Sequence, residues 1–549
     1  MQKKSKICLL VFTIGALFLI ASSGSEIESV PLTYDFGLMQ MLPPLFWLGF
    51  SLCLISIVVG IKNDSRTIFY IKSLLLFVFI ASIPILFLKN PFWPGSYEHV
   101  YESLPITLSG HVPALSFDLP WVFESYPANF PGYFILLSIL LQITGLDGVA
   151  FSKYYPILSN LITFIAVSVL FKTLLKGASQ TSYRYAMLLF MLGNVYLQFQ
   201  VSPQSLFFVV GILAIIALER STPKFRFIAI FLFFSIVMSH PTTLFVVLPF
   251  VVVWRFLTKF YFKNKHDGIR APAVLFTLMW IAWMMFFAIT RGETIIDSIV
   301  TQFLSLFSPQ ILVQEAGTQL GGVFTVPPII RLIVLATLGM FSFSCLIMEW
   351  REKTKNFPIY AAFLFTPVIL TFLDVALGSG LYDRYLLFFV LMSIPLSMKI
   401  IHRLRPHLKS FLIALILILA ILNFTTLHYQ AAQYVYSDET LIATKFADTS
   451  TNVQIYGPRY YYGLLPNFDN PYSSSILRLA AFQQIYPTSV DNLTKYARGP
   501  CIIVVDYMSR TYYEVHGTTQ AYDFYERSVA ALAPTKIYDS GRYDFWVLG

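Results

Sequence analysis

Apolar runs recur through the first 430 residues, near 7–22, 43–61, 66–88, 151–171, 185–200, 203–219, 225–239, 241–258, 271–290, 328–348, 357–377, 382–398 and 410–428. Runs of roughly 16–22 residues are of the order a helix needs to cross a hydrocarbon core about 30 Å thick. The pattern therefore predicts about thirteen spanning helices. A further run, 131–145, is short for a span. After about 429 the pattern changes: charges of both signs mix and apolar runs shorten. There it predicts strands over 452–457 and 501–506, amphipathic helices over 473–485 and 518–533, and a hairpin turning at Ser540-Gly541. The expected architecture is a polytopic α-helical membrane protein over 1–428, with a small α/β domain over 429–549.

Composition agrees with that class. Hydrophobic residues make up 56% of the chain and charged residues 12%, where soluble chains carry about 25% charged residues. The net charge of +9 does not point to nucleic acid, because the basic residues fall in short loops between apolar runs. If 131–145 does not cross, about 23 Lys and Arg collect on one side, from Lys3 through Lys62, Arg66, Arg184 and Arg255 to Lys409. About five stand near the membrane on the other: Lys89, Lys153, Arg291, Arg331 and Arg384. A crossing at 131–145 inverts every later loop and destroys the bias. The segment is therefore read as interfacial or re-entrant. The N-terminus is then cytoplasmic, while the loops 89–150 and 291–327, the turn 378–384 and the C-terminal domain lie outside. The N-terminal run also has the look of a signal peptide, with a conceivable cleavage site at Ala21-Ser22-Ser23. An uncleaved span fits better, since it leaves Lys62 and Arg66 inside.

Cys8, Cys53 and Cys345 lie in apolar runs and Cys501 in an expected strand. No CxxC or zinc spacing occurs, so neither a disulfide framework nor a metal site is expected, and no cofactor.

The chemistry-bearing stretch is a polar island after the third run, Gly95-Ser-Tyr-Glu-His-Val-Tyr-Glu-Ser-Leu-Pro-Ile-Thr-Leu-Ser-Gly-His-Val-Pro113. Read as a helix over 96–109 stopped by Gly110, it sets Glu98, Tyr101 and Glu102 on one face, because i and i+4 are neighbours. A carboxylate in a partly dry site can act as a general base; the same spacing also suits a solvated loop helix. Further breaks face the same side: Ser125-Tyr-Pro-Ala-Asn-Phe-Pro-Gly132, Val201-Ser-Pro-Gln-Ser205, Ser239-His-Pro-Thr-Thr243 and Asp383-Arg384. Arg384 either pairs with Asp383 or binds a phosphate through its planar fork. Glu98, His99, Glu102, Gln204, His240, Asp383 and Arg384 thus form one polar rim. The spans are nearly bare of charge, whereas a transport pore places polar groups mid-span.

In the order and sidedness of these motifs the chain resembles the GT-C superfamily of membrane glycosyltransferases, in the manner of protein mannosyltransferases and aminoarabinose transferases, and most its archaeal members. The resemblance covers about residues 66–549. It rests on the acidic helix ending in Ser109-Gly110, the Tyr126-Pro…Phe-Pro-Gly-Tyr133 stretch, Ser202-Pro-Gln-Ser205, Ser239-His-Pro-Thr242, Asp383-Arg-Tyr-Leu-Leu387 and the C-terminal domain.

The resemblance implies an inverting, metal-independent transfer of a sugar from a polyprenyl-phosphate donor to a lipid, glycan or protein acceptor on the outer face of the cell membrane. By position Glu98 matches the catalytic carboxylate best, with Glu102 as the other candidate. His99, Tyr126, Gln204, His240, Asp383 and Arg384 are the expected substrate-binding residues, with Arg384 on the lipid phosphate. Many relatives carry an aspartate shortly before the matching histidine, where this chain has Gly95-Ser-Tyr. The Trp-Trp-Asp signature of oligosaccharyltransferases is absent, as is Asp-x-Asp in this loop. The alternatives from other classes are a transporter of lipid-linked glycan or polysaccharide and a non-catalytic relative.

Overall fold

The computed structural model describes residues 3–24, 26–31, 33–92, 94–112, 127–193, 200–220, 222–262, 270–288, 325–377, 382–429, 431, 454–457, 482–484, 501–506, 510, 519–531, 535–539 and 543–548. The membrane portion is helical: α1 Lys3–Ala21, α2 Leu38–Met41, α3 Pro44–Asn63, α4 Arg66–Ala81, α5 Ile83–Phe87, α6 Pro94–Ser109, α7 Pro131–Thr144, α8 Gly148–Leu174, α9 Gln180–Gly193, α10 Pro203–Glu219, α11 Pro223–Val237, α12 Pro241–Phe262, α13 Arg270–Phe286, α14 Val326–Arg351, α15 Phe357–Leu377, α16 Tyr382–His402 and α17 Pro406–Thr425. Proline in the first turn opens several of them, where its missing N–H has no intrahelical partner to lose.

Every predicted apolar run forms helix among its described residues, but the run at 66–88 is broken at Ser82, because Pro84 cannot donate to the preceding turn. Among the described residues seven helices are long and apolar enough to cross a membrane. Four other runs form helices of 14 to 17 residues, so the expected thirteen are not all of spanning length. The α7 helix has 14 residues, about 21 Å of rise.

The helix ends divide into two groups. At one end Ser5 Oγ on α1 donates to Asp64 Oδ1 at 2.9 Å. Lys72, on α4, is wholly buried against Asp64 and donates to the Ser56 carbonyl at 3.0 Å. Arg184 on α9 donates to the carbonyls of Ile61 and Asp64 at 2.8 and 2.9 Å. At the same end Lys399 meets Glu349 at 2.7 Å, and Tyr360 donates to the Leu174 carbonyl at 2.8 Å. These contacts join the basic ends that the charge pattern assigns to one side. The fully buried Lys72 and Glu349 lie within helices that sequence reading treats as bare of charge. A buried charge needs a partner, and each has one at this end.

At the other end Arg331 on α14 donates to Thr426 just past α17, through Nε to Oγ1 at 3.0 Å and through Nη2 to the carbonyl at 2.5 Å. Asn423 Nδ2 donates to the Gly193 carbonyl at 2.9 Å, tying α17 to α9. Aromatic rings also interlock, with Phe50 stacked on Phe424 and Phe233 on Phe276 at 4.4 and 3.8 Å. Dispersion across such contacts supports helix association where no water is excluded.

The C-terminal residues form a five-stranded sheet ordered β2-β1-β3-β5-β4, with β1 Gln454–Gly457, β2 Phe482–Gln484, β3 Cys501–Asp506, β4 Thr535–Asp539 and β5 Tyr543–Leu548. The β1 strand pairs in parallel with β2 and β3, while β5 runs antiparallel to β3 and β4. The helix α18, Thr519–Ala531, buries Tyr522, Tyr525 and Val529, and Tyr525 donates to the Val504 carbonyl at 2.8 Å. One expectation fails: the helix predicted over 473–485 is strand at 482–484, and the rest of that range lies outside the described residues. Its apolar spacing fits both periods, and pairing of Phe482 with Ile455 decides for strand.

Candidate functional site

The polar island folds as α6, one turn of which carries Glu98, His99 and Glu102. Gly110 follows at φ +74°, a left-handed conformation that suits glycine, and its N–H closes on the Ile106 carbonyl at 2.9 Å. The expected helix with its glycine stop is therefore present. Of the two glutamates, only Glu102 has a described side chain. It is buried, and its Oε2 lies 2.8 Å from His99 Nδ1.

Three elements hold α6 in place. Against α7, Ser138 Oγ donates to the Ser103 carbonyl and Gln142 Nε2 to the Thr107 carbonyl, both at 3.0 Å. Against the lead into α10, Val201 N–H donates to Ser96 Oγ at 2.9 Å. Against α8, Ser152 Oγ reaches the Ser96 carbonyl at 3.5 Å. The α10 start is itself capped by Ser202, and Ser205 meets the Tyr155 hydroxyl at 3.0 Å. Half-buried Gln204 stands at this anchor.

The α7 helix brings two aromatic rings to His99: Tyr133 edge-on at 6.4 Å and Phe134 tilted at 6.0 Å. Its start docks on the turn between α11 and α12, where Gly132 N–H donates to the Met238 carbonyl at 3.1 Å. That turn carries Ser239 and His240, both buried. Burial, then the Arg384 guanidinium, then His99 hold the His240 imidazole well below its ordinary range. His240 is therefore neutral near pH 7, with Arg384 and His99 both within electrostatic reach of it.

Four of the expected residues are thus linked: His99 and Glu102 by a hydrogen bond on α6, and His240 on the α11–α12 turn by the fields of His99 and of Arg384 at the start of α16. Gln204 lies three residues after Val201, whose N–H holds Ser96 of α6. The side chains of Glu98 and Asp383, and all of Tyr126, lie outside the described residues. Sequence reading passed over Ser96, Gly132, Tyr133 and Ser239 as site-building residues. The Pro131-Gly132 pair at a helix start was the available signal for one of them.

Arg331, one of the few basic residues expected on this side, stands in a different cluster. Its guanidinium lies over the Tyr429 ring at 4.3 Å and donates to Thr426. Beside it, burial first and Arg331 second push His428 down to about 3. His428 packs edge-on against Phe92 at 4.9 Å.

No protein-family profile matches the chain, and no curated protein sequence does. Among solved structures it is similar to the crystal structure of ArnT from Cupriavidus metallidurans in the apo state, with 11% identity, 88% of this chain and 99% of that chain covered, and a TM-score of 0.49. A likeness of that size carries no inference about activity, so the chain's own residues must carry any assignment.

Proposed function

We propose that this multi-pass membrane protein is a glycosyltransferase that moves a sugar from a polyprenyl-phosphate donor to an acceptor at the outer membrane face, with inversion. The observation that carries this reading is the meeting of His99, Glu102, His240 and Arg384 from three separated parts of the chain at one helix end. Such a site offers a hydrogen-bonded proton carrier beside a guanidinium. Glycosyl transfer from a phosphate leaving group needs both.

In this reading the acid face of α6, Glu98 and Glu102 with His99, serves the acceptor hydroxyl. Arg384 takes the lipid phosphate, its planar guanidinium fork pairing with two of the phosphate oxygens. His240, neutral and beside Arg384, hydrogen-bonds the donor without adding charge, and Gln204, Tyr126 and Asp383 line the donor path. The sequence motif order supports the same assignment, and the lack of Asp-x-Asp in the α6 loop favours a metal-independent reaction. The two buried charge pairs described at the opposite end are each closed on themselves, which gives no support to a charged transport path.

Mass spectrometry of surface glycans and glycolipids, with the chain present and deleted, tests the proposal. Deletion is expected to remove one monosaccharide mass, and Arg384→Ala to reproduce the loss. Unchanged glycans overturn it. Loss of a whole glycan from the surface, with its lipid-linked form accumulating inside, points to transport instead.

A further inference from the structure

Glu102 and His99 differ in what each offers a reacting group. The Glu102 side chain is 6% exposed and the His99 side chain 18%. A carboxylate in its ionised form only accepts, so the 2.8 Å contact with Glu102 suits a hydrogen on His99 Nδ1. Tyr133 and Phe134 confine the imidazole from the side of α7. This is the arrangement by which a carboxylate fixes the tautomer of a histidine and stabilises the imidazolium that it becomes. Among the described residues, the titratable and charged groups toward the pair include Tyr133 from α7, His240 from the α11–α12 turn and, in electrostatic reach of His240, Arg384 from α16. His240 is itself buried and stays neutral, leaving His99 as the histidine poised to gain a proton.

We infer that His99, rather than Glu102, accepts the acceptor's proton, and that Glu102 is a positioning residue that sets the His99 tautomer. The inference rests on the glycosyl-transfer reading above. In the step, the acceptor O–H proton passes to His99 Nε2 as the acceptor oxygen bonds to the anomeric carbon. The bond from that carbon to the phosphate oxygen breaks, and its electron pair leaves on the polyprenyl phosphate. Glu102 remains ionised and faces the new imidazolium through Nδ1–H. An imidazole suits this work near neutral pH, where its free pKa of about 6.5 lies.

Two measurements on the full chain test it. Nitrogen-15 spectra of histidine-labelled protein in nanodiscs, with His99 assigned by His99→Gln, should show His99 protonated at Nδ1 at neutral pH. Glu102→Gln should shift the population toward the Nε2-protonated tautomer. In membranes carrying the endogenous donor, His99→Gln should abolish the monosaccharide mass shift. Glu102→Gln should slow its initial rate about 100-fold or more and displace the acid limb of its pH profile, with Glu102→Asp recovering much of the rate. An unprotonated Nδ1, or full transfer by His99→Gln, overturns the inference. A wild-type chain that transfers no sugar instead overturns the transferase reading, so the two failures are distinct.

Discussion

Gly132 and Met238 are joined backbone to backbone, the Gly132 N–H donating to the Met238 carbonyl at 3.1 Å, and a Cβ at position 132 would stand 2.2 Å from Ser239 Oγ. This bond docks the helix that confines His99 on the turn that carries His240. Gly132→Ala should force the two apart. A shift of this kind is expected to slow sugar transfer by about tenfold or more and to destabilise the fold by about 1–3 kcal/mol. Adding Ser239→Ala removes the nearest clash and should restore part of both. Glycan mass shifts and thermal unfolding in detergent read the two effects separately.

The Arg331 clamp closes the end of α17. Its bonds to Thr426 and its place over the Tyr429 ring predict that Arg331→Ala destabilises by about 1.5–3 kcal/mol, the range for hydrogen bonds to a charged group. Arg331→Lys keeps the charge but not the fork, so it should recover less than half of the loss. A lysine variant as stable as wild type in thermal unfolding would contradict this account.

At the opposite end Lys72 and Asp64 are almost fully buried together. Lys72→Met strands the carboxylate and should cost about 3–5 kcal/mol. The double variant Lys72→Met, Asp64→Leu removes both charges and should recover most of it. Denaturation of the single and double variants in matched detergent supplies the cycle, and additive losses would show that the two residues do not act as a pair.

Acid should destabilise the protein through His240 and His428. Burial comes first in lowering both, helped by Arg384 and His99 at His240 and by Arg331 at His428, which falls to about 3. The unfolded chain binds these protons near pH 6.5 while the folded chain does not. Stability is therefore full above about pH 6.5 and declines as pH falls below it, down to about 3 for His428. His428→Phe should flatten the decline of unfolding temperature between pH 7 and 4.5. A slope equal to wild type would remove His428 from the explanation.

The charge bias also predicts sidedness. A membrane-impermeant maleimide on intact cells should label Ser109→Cys, exposed at the end of the acidic helix, and spare Lys353→Cys. The reverse pattern would invert the orientation.

The sequence by itself determined what depends on composition and period. Hydrocarbon length and apolarity marked the helices, the glycine at 110 marked the end of α6, and the β-branched run Cys501-Ile-Ile-Val-Val-Asp506 marked a strand. These are local properties of the chain, so neighbours in sequence suffice to reveal them. The break at Ser82 lay within reach too, through Pro84. Phe482–Gln484 did not, because a three-residue strand owes its state to the partner it pairs with.

Only the tertiary structure decided which polar residues meet. His99, His240 and Arg384 are far apart in sequence, and no local rule links them. They converge because Ser96 fastens α6 to α10, and because Gly132, lacking a Cβ, lets α7 approach the α11–α12 turn. Packing likewise separated Arg331, which holds a helix end, from Arg384, which stands at the site. Sequence reading singled out Arg384 and only counted Arg331, since charge along a chain records side of membrane but not neighbours within it.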